Sequence, residues 1–411
     1  MDKGLEKKEG LLAFDTAQQR ILDGIHAVTD TESIELDHLS GRILAADVTA
    51  MIHVPNHDNS AMDGYAVNST DLVGTGEVLL RVAGDLAAGG CYPARLNPGE
   101  AVRIMTGAPI PQGADAVVMQ ETCRREQNGV RVPCGIPSGS HIRLAGEDMR
   151  MGDTILHQGR RLRPVDIGVL AAQGITAARV FRRPRVAVLS TGNEVVEVGR
   201  PLAPGQVYNS NRAGLKAALT RLGCTVVDYG IVQDTLPAIE EALNRAGREA
   251  DAVISTGGVS VGDYDLVRLA LEKHGTIDFW KVAIKPGKPL AYGRLAAATF
   301  FGLPGNPVSA LTIYYVLIRP ALLRLMGGHA QPRKMFRARF KGHFAKKHGR
   351  KEFLRAVVDL TTDPIEVATT GPQGSGVLTS LSLANAFIVV PEGQVTLSTG
   401  DWVRIWMIDD D

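Results

Sequence analysis

The chain has 411 residues, 45% of them hydrophobic and 22% charged, and its formal net charge is +1 at pH 7. This length is too great for one hydrophobic core and indicates about two to four domains, while the balanced charge argues against a dedicated nucleic-acid-binding protein. No apolar run reaches the roughly 20 residues that cross a membrane, and the four cysteines lack the CxxC spacing of a zinc site. The charged first ten residues contain no apolar signal core, so we expect a cytoplasmic protein.

The N-terminal part combines two predicted helices with a long stretch rich in turns and short strands. Apolar residues at helical spacing predict a helix from Phe14 to Ile25, in which Asp15 and Gln18 have the spacing of a capping box. From about residue 48 to residue 155, short apolar runs alternate with Gly, Pro and Asn turns, which predicts β structure. Proline near the start and glycine at the end predict a second helix over 164–174. We interpret the β region as an insertion between two parts of one helical or extended domain.

Short apolar strands alternate with helices after residue 185. The predicted strands are 186–189, 225–229, 252–254 and 299–301, and the predicted helices are 213–222, 236–244, 265–274 and 308–326. This alternation is typical of a parallel, doubly wound sheet. The remaining residues, 336–408, contain strands of alternating polarity and predict a small β-barrel or sandwich.

Three glycine-bearing loops follow three of these strands. In open α/β sheets, ligands bind beyond the carboxyl ends of the strands, and glycine lets the backbone approach a ligand closely. One such loop is explained equally well as a turn, but three at one edge predict a binding site. No P-loop and no dinucleotide-binding fingerprint is present. The candidate binding residues are Thr191, Gly192, Asn193, Ser255, Thr256, Gly257, Gly258, Ser260, Pro304, Gly305, Asn306 and Pro307.

Three lysines occur close together just before the last of these loops. Lys281, Lys285 and Lys288 lie within eight residues, and the last two bracket a Pro-Gly turn. Lysines bind phosphates and oxyanions as compact positive charges, and a loop that opens a helix offers backbone N–H groups to the same ligands. The two features together predict a pocket for a small polyanion.

Acidic residues lie beside the same loops. Glu194, Asp234 and Asp265 follow or flank the predicted strand ends. Carboxylates at such an edge suit Mg²⁺, which prefers oxygen ligands together with substrate phosphates, so Glu194 and Asp265 are the candidate metal ligands. The alternative for Asp265 is a structural role as the N-cap of the helix that it precedes.

Taken together, seven segments resemble the molybdopterin molybdenumtransferase family, which comprises the bacterial MoeA proteins and the related E domain of gephyrin. They occur in the family's order and span most of the chain: Asn59–Ala66, Arg103–Ala108, Ala145–Asp148, Ser190–Glu194, Thr256–Gly262, Lys281–Pro289 and Gly302–Ser309. The resemblance implies an enzyme that takes molybdate and adenylylated molybdopterin, inserts molybdenum into the dithiolene and releases AMP. It also implies a Mg²⁺ cofactor.

The resemblance further implies the site residues. The family's catalytic positions correspond to Asp63, Thr106, Asp148, Glu194, Asp234, Asp265, Lys281 and Lys285. Its molybdate site corresponds to Lys285 or Lys288, Ser309, Arg355 and Ser375.

The fold implied by the resemblance is α/β plus β and multidomain. A central doubly wound α/β domain (182–327) is flanked by an inserted β domain (51–145), a discontinuous helical or extended dimerisation domain (1–50 and 146–181) and a C-terminal β-barrel (328–411). The family forms homodimers in which the β domain of one subunit faces the α/β domain of its partner. Molybdopterin adenylyltransferase and other proteins of the cofactor pathway are the expected partners, with neither nucleic acid nor membrane.

Two other functions compete with this one. A nucleotide-dependent transferase for another phosphorylated metabolite would use the same glycine loops and acids, but would not need Arg355 and Ser375. A scaffold is the second alternative, because the gephyrin E domain clusters receptors. Between residues 333 and 351 the chain also has nine Lys or Arg and no acid before Glu352, which we interpret as a solvated strand face rather than a nucleic-acid patch.

Overall fold

The computed structural model describes residues 11–258, 266–328, 335–347 and 349–408. The predicted site residues Ser260 and Asp265 lie outside this part of the chain, as do the first ten residues. Two compact units are present. Unit 1 comprises residues 1–32, 41–45 and 180–411, and unit 2 comprises residues 33–40 and 46–179.

The helices lie close to their predicted positions. They are α1 (Phe14–Gly24), α2 (Pro164–Ala172), α3 (Ser210–Leu222), α4 (Leu236–Glu249), α5 (Leu266–His274), α6 (Pro307–Leu325) and α7 (Leu378–Ser382). Short 3-10 turns cover Leu36–His38, Ser69–Leu72 and Gln120–Thr122.

The strands of the first part of the chain are β1 (Thr31–Glu35), β2 (Val48–Thr49), β3 (Asn59–Ser60), β4 (Gly64–Val67), β5 (Glu77–Leu86), β6 (Glu100–Ile104), β7 (Ala116–Met119), β8 (Arg124–Glu126), β9 (Gly129–Pro133), β10 (Ile142–Arg143), β11 (Thr154–Leu156) and β12 (Ala177–Phe181). Those of the α/β region are β13 (Arg185–Thr191), β14 (Val195–Val196), β15 (Val207–Tyr208), β16 (Thr225–Val232), β17 (Ala252–Thr256), β18 (Gly275–Lys281), β19 (Ile284–Lys285), β20 (Pro289–Leu295) and β21 (Ala298–Leu303). The C-terminal strands are β22 (Phe336–Lys341), β23 (Phe344–Ala345), β24 (Lys351–Asp359), β25 (Glu366–Thr369), β26 (Ala386–Val390), β27 (Thr396–Leu397) and β28 (Trp402–Met407).

Unit 2 is built on a six-stranded sheet in the order β7-β4-β6-β5-β9-β8. The strand β4 is buried along its whole length and pairs on both sides, with β6 and with β7. A Cβ on Gly64 would lie 2.0 Å from the carbonyl oxygen of Val118 on β7, so this position requires glycine. The sheet confirms the predicted β region.

Helix α2 of unit 2 begins at an ion cluster in which the acid, Asp166, is buried, whereas Arg160 is half-buried and Arg163 is exposed. Pro164 occupies its first turn, as predicted, and Asp166 accepts hydrogen bonds from the Arg163 backbone at 2.9 Å and from Arg160 at 2.7 Å. Burial alone would raise the pKa of Asp166, but the hydrogen bonds from Arg160 and Arg163 outweigh it and lower the pKa to about 2.

The α/β part of unit 1 is a six-stranded sheet in the order β16-β13-β17-β21-β20-β18. The first four strands are parallel, β20 is antiparallel to β21, and β18 is antiparallel to β20. Two reversals leave β18 pointing in the same direction as β21. Apolar side chains are buried on both faces of the sheet, as expected for parallel strands covered by helices. The doubly wound α/β prediction is confirmed.

Helix α6 is the central apolar helix of unit 1. It is long and apolar enough to cross a membrane, but 67% of its most apolar 18-residue window is buried inside the protein, as expected of a core helix. A π turn over Tyr314–Ile318 precedes Pro320. Because proline has no N–H to donate to the carbonyl four residues earlier, Val316 lacks that α-helical donor, and the side chain of Gln18 donates to its carbonyl at 3.3 Å.

The predicted capping box of α1 is wrong. Ala13 is the N-cap residue and makes no side-chain cap. The carboxylate of Asp15 instead accepts hydrogen bonds from Lys351 at 2.7 and 2.8 Å, and the ammonium of Lys351 also lies 4.8 Å from the ring centroid of Phe14. A long-range ion pair has therefore taken the place of the local cap.

The C-terminal region closes into a barrel. Strands pair in the order β24-β25-β22-β28-β26, and β26 pairs again with β24. This closure settles the predicted choice between barrel and sandwich. On the outer face, the guanidinium groups of Arg337 and Arg339 lie 5.1 and 4.4 Å from the ring centroid of Trp402. This packing supports the interpretation of the basic segment as a strand face.

Candidate active site

The three predicted glycine loops lie side by side at one edge of the α/β sheet. Ser190 pairs in register with Thr256, and Thr256 with Leu303, so the loops that begin at residues 191, 257 and 304 are neighbours. The backbone N–H of Gly257 donates to the carbonyl of Leu303 at 3.2 Å. A Cβ on Gly257, whose φ is +83°, would lie 2.4 Å from the carbonyl oxygen of Thr191. The loops are therefore packed together as closely as glycine allows.

Lys281 lies at the same edge. It ends β18, which points in the same direction as the parallel strands, and it pairs with Pro289 at the start of β20. Four strand spacings separate β13 from β18, which corresponds to roughly 19 Å. The edge is therefore long enough to hold a ligand with several phosphate or ring groups.

The lysine turn that follows β18 contacts the barrel within unit 1. Strand β19 pairs in parallel with β24, which sets Lys285 opposite Glu352. The ammonium of Lys285, whose side chain is 47% exposed, lies 3.3 Å from the carboxylate of the buried Glu352. Sequence reasoning missed Glu352 because this pairing joins distant parts of the chain. Lys288 is half-buried in the same turn.

Two of the predicted acids stand at the carboxyl ends of neighbouring strands. Glu194 follows β13 and is exposed, and Asp234 follows β16 and is half-buried. Within the described residues, no group of three or more His, Cys, Asp or Glu could hold a metal ion. Mg²⁺ commonly takes only one or two protein carboxylates and completes its shell with water and substrate phosphates. The oxygen donors of Glu194 and Asp234 fit such an ion.

Four buried polar atoms near this edge have no partner within the described residues. Thr191 and Ser255 are 2% and 0% exposed, and their hydroxyl oxygens make no hydrogen bond. The same holds for the side-chain nitrogen of Asn209 and the side-chain oxygen of Asn211. Buried polar atoms in folded proteins are nearly always hydrogen-bonded, so this edge has binding capacity that the protein itself does not use.

Sequence reasoning missed both asparagines. Asn209 caps α3 by accepting from the backbone N–H of Arg212 at 3.1 Å, and it also accepts from the hydroxyl of Ser190 at 3.2 Å. Asn211 donates to the carbonyl of Gly305 at 2.7 Å. The signal that could have found them is Asn-Ser-Asn at the start of a predicted helix, a pattern that by itself indicates only a cap.

Ser309 and Arg355 are both buried. Ser309 lies in the first turn of α6 and is 4% exposed. Arg355 is 1% exposed, and its burial lowers the pKa of its guanidinium. It donates to the hydroxyl of Ser380 at 3.0 Å and to backbone carbonyls at 3.0 to 3.2 Å in the loop 372–374.

Arg355 thereby fixes the loop that leads to Ser375. Each of its side-chain bonds is made to a neutral oxygen, and no carboxylate pairs with it within the described residues. The half-buried Ser375 follows directly after this loop. A positive charge without an acidic partner next to an ordered loop favours the binding of an anion.

In unit 2, the three remaining motifs come together. Within the sheet, Gly64 and Tyr65 of the first motif pair with Ile104 and Arg103 of the second. The backbone of Ala145 in the third motif donates to the carboxylate of Asp58 at 2.7 Å, immediately before the first motif. The motifs therefore form one continuous surface region of unit 2.

Asp63 and Thr106 are joined directly. The Oδ1 atom of Asp63 accepts from the backbone N–H of Thr106 at 2.7 Å and from its hydroxyl at 2.8 Å. These two bonds, together with the charge of Arg103, lower the pKa of Asp63, which keeps it ionised at neutral pH. Asp148 is exposed in the third motif, and its backbone N–H donates to the carbonyl of Val54 at 3.0 Å.

Known proteins match nearly the whole chain. Three family models match consecutive segments: "MoeA N-terminal region (domain I and II)" at 12–174, "Probable molybdopterin binding domain" at 187–324 and "MoeA C-terminal region (domain IV)" at 337–408. A molybdopterin molybdenumtransferase of Haemophilus influenzae is 42% identical and covers 96% of this chain and 98% of its own. Molybdopterin molybdenumtransferase 2 of Mycobacterium tuberculosis is 37% identical over 94% of this chain and 98% of its own.

The fold matches as well. The crystal structure of the molybdopterin biosynthesis moeA protein from Pyrococcus horikoshii OT3 superposes with a TM-score of 0.86 at 28% sequence identity. The match covers 97% of this chain and 100% of the other.

Proposed function

This chain belongs to the MoeA family of molybdopterin molybdenumtransferases, and we propose that it transfers molybdenum from molybdate to adenylylated molybdopterin with release of AMP. The observation that carries the proposal is the strand-end edge of the α/β sheet. There, glycine loops, lysines, exposed acids and unpartnered buried polar atoms occur together. Such a combination suits a ligand that carries rings, phosphates and a metal oxyanion.

The lysines supply the positive charge in this proposal. Lys281, Lys285 and Lys288 would attract the substrate phosphates and molybdate, which is a tetrahedral dianion. Molybdate itself would bind between the lysine turn, Ser309 and the loop that Arg355 holds, with Ser375 as a further donor. The buried guanidinium of Arg355 supports this assignment, because its charge has no acidic partner within the described residues.

The glycine loops supply backbone donors. Residues 191–193, 255–258 and 304–307 would bind the pterin and nucleotide parts, since their glycines let the backbone approach a ligand closely. Glu194 and Asp234 would hold Mg²⁺, together with Asp265, which precedes α5. When bound, Mg²⁺ would supply Lewis-acid polarisation of the phosphate bond that is broken on release of AMP.

The reaction requires positioning more than a nucleophilic side chain. Two thiolates of the substrate form Mo–S bonds as two oxygens leave molybdate. One of these oxygens bonds to the phosphorus of AMP as the bond between AMP and the substrate phosphate breaks, and the other takes up two protons and leaves as water. Holding the reactants in contact supplies much of the rate enhancement for such steps. We therefore propose that no covalent enzyme intermediate forms, and mass spectrometric trapping of an adenylyl-enzyme would overturn this.

The proposal includes a cytoplasmic homodimer. Asp63, Thr106 and Asp148 would complete the strand-end site of the partner subunit, as the family resemblance implies. Mixing the inactive variants Asp63→Ala and Lys285→Ala tests this directly, because a mixed dimer regains one intact site. Recovery of up to half the activity per mixed dimer is expected, and no recovery with mixed dimers present would contradict the shared site.

The main test is molybdate-dependent release of AMP. The purified protein is incubated with adenylylated molybdopterin, Mg²⁺ and molybdate, and AMP is quantified by chromatography. Release that requires molybdate is expected, and Lys285→Ala should lower it, whereas Lys347→Ala, at an exposed lysine of the barrel region, should not. Molybdate-independent release would favour a different nucleotide-dependent transferase, and no turnover would favour a scaffold.

A further inference from the structure

Two asparagines at the start of α3 carry a free donor and a free acceptor. Asn209 and Asn211 are 4% and 8% exposed. The amide nitrogen of Asn209 and the amide oxygen of Asn211 have no hydrogen-bond partner within the described residues. Leaving such atoms unpaired in the protein interior is costly, so each of these two atoms indicates a place where a ligand group would complete its hydrogen bonding.

The chemical identity of the free atom on Asn209 is fixed by its neighbours. The other atom of the amide faces the backbone N–H of Arg212 at 3.1 Å and the hydroxyl of Ser190 at 3.2 Å. A backbone N–H can only donate, so the atom facing it must be the oxygen. The free atom of Asn209 is therefore the NH₂ group, which is a donor.

The free atom on Asn211 is fixed by the same reasoning with the opposite result. Its second amide atom lies 2.7 Å from the carbonyl oxygen of Gly305. A carbonyl can only accept, so the atom facing it must be the nitrogen. The free atom of Asn211 is therefore the oxygen, which is an acceptor.

This polarity excludes part of the substrate. Molybdate and fully ionised phosphate esters offer only acceptor oxygens, so they cannot satisfy the oxygen of Asn211. A nitrogen heterocycle can satisfy both asparagines, because its edge presents an N–H or amino donor next to a carbonyl or ring-nitrogen acceptor. The pterin ring and the adenine ring both have such an edge.

We infer that Asn209 and Asn211 hydrogen-bond to a nitrogen heterocycle of the substrate, Asn209 as a donor and Asn211 as an acceptor. The inference rests on the proposed function, which supplies both candidate rings, the pterin and the adenine of adenylylated molybdopterin. Asn211 also donates to Gly305, which has no atom within 4 Å of where its Cβ would stand, so space is open on that side. The lysine turn lies at the other end of the edge, which separates ring recognition from phosphate binding.

Asn209→Ser and Asn209→Asp test the inference. Serine and aspartate are both good N-caps, so each retains an oxygen for the backbone of Arg212 while removing the free donor. We expect Asn209→Ser to weaken binding of the recognised ring about tenfold, as for loss of one buried hydrogen bond, and Asn209→Asp to weaken it further, because an acceptor then faces an acceptor.

The measurement is calorimetric titration of the full-length protein with molybdopterin, with AMP and with molybdate, each alone. A matched control is Asn68→Ser in unit 2, where Asn68 likewise caps a turn by accepting from the backbone N–H of Thr70 at 3.0 Å. Weaker binding of molybdopterin alone assigns the pterin, and weaker binding of AMP alone assigns the adenine. Molybdate affinity should not change.

Unchanged affinity for both rings overturns the inference, as does an equal loss for all three ligands, which would indicate general damage. Molybdate-dependent AMP release by the unaltered protein is measured in parallel. If it occurs while the asparagine variants bind normally, the inference fails and the proposed function stands. If it does not occur, the proposed function fails, and the binding titrations still decide the role of the asparagines.

Discussion

Polar side chains are bonded differently in two regions of the protein. One is the edge of the α/β sheet in unit 1 where the parallel strands end, and the other is the part of unit 2 that contains the motifs 59–66, 103–108 and 145–148. At the edge, the hydroxyls of Thr191 and Ser255 are buried and have no partner among the described residues. In unit 2, the carboxylate of Asp63 accepts two hydrogen bonds from Thr106. The sheet edge therefore has buried hydroxyls that are not hydrogen-bonded within the described residues, whereas the carboxylate of Asp63 is hydrogen-bonded by its own unit.

This difference separates two kinds of functional surface. Open, buried donors and acceptors gain their bonds only when a ligand arrives, so they suit recognition. An acid that is held by its own loop has a fixed position and a fixed charge before any ligand arrives, which suits electrostatic stabilisation. We therefore expect substitutions at the edge to change binding or folding, and substitutions at Asp63 to change turnover.

The largest effect is expected for the stability of Gly257→Ala, which disrupts the packing of the loops that follow β13 and β17. The backbone has a φ of +83°, and the new Cβ would stand 2.4 Å from the carbonyl oxygen of Thr191. We expect a loss of about 3 kcal/mol in the free energy of unfolding, from strain and the clash together, measured by urea unfolding. Gly305→Ala is the control, because no atom lies within 4 Å of its Cβ position; equal losses in both variants would contradict tight loop packing.

Arg355→Met should have the next largest effect. The substitution keeps an unbranched apolar stem but leaves the hydroxyl of Ser380 and three carbonyls of the loop 372–374 without their donor. We expect a loss of about 2 to 3 kcal/mol in stability and a higher KM for molybdate. Arg355→Lys retains the charge without the fork of donors, so a normal KM in that variant would assign the effect to charge alone. A stable Arg355→Met protein would show that the loop does not depend on these bonds.

The sequence predicted what depends on short-range pattern. Strand and helix alternation located the doubly wound sheet, and glycines after three strands located loops that are neighbours at its carboxyl edge. The strands β18 and β20 were missed, because their antiparallel return interrupts the expected alternation. The strand pattern alone predicted either a barrel or a sandwich, since closure depends on the single pairing of β24 with β26, and the barrel was implied only by the family resemblance.

The contacts that the sequence did not predict join residues that are far apart in the chain. Asn211 and Gly305 are 94 positions apart, and Asp15 and Lys351 are 336 apart. A local capping rule assigned Asp15 to the helix start, but a partner from the barrel region competes successfully for the same carboxylate. The sequence likewise did not predict the burial of Arg355, because its hydrogen-bond partners Ser380 and Pro372 are 25 and 17 positions away.

Asp63→Ala tests the unit 2 side of the comparison. We expect kcat to fall about 100-fold, as for loss of a preorganised electrostatic contact, while dimer formation is unchanged by gel filtration. Asp63→Asn is the matched variant, because its amide oxygen can still accept from Thr106 but the charge is gone. Equal losses in both variants would assign the effect to charge, whereas an active Asp63→Asn would assign it to the shape of the loop. A fully active Asp63→Ala protein would remove this residue from the site.

The smallest effect concerns Asp166, a unit 2 acid that the proposed site does not use. Burial alone would raise its pKa, but hydrogen bonds from Arg160 and Arg163 lower it from the ordinary 3.8 to about 2 in the folded protein. A group with a lowered pKa stabilises the fold above its unfolded pKa, and this contribution is lost as the pH falls from about 4 through about 2. Asp166→Asn should therefore cost about 2 kcal/mol at pH 7, and the difference from the unaltered protein should shrink between pH 5 and pH 3 in urea titrations. A difference that stays constant over that range would mean that the ion cluster with Arg160 and Arg163 stabilises α2 through packing rather than charge.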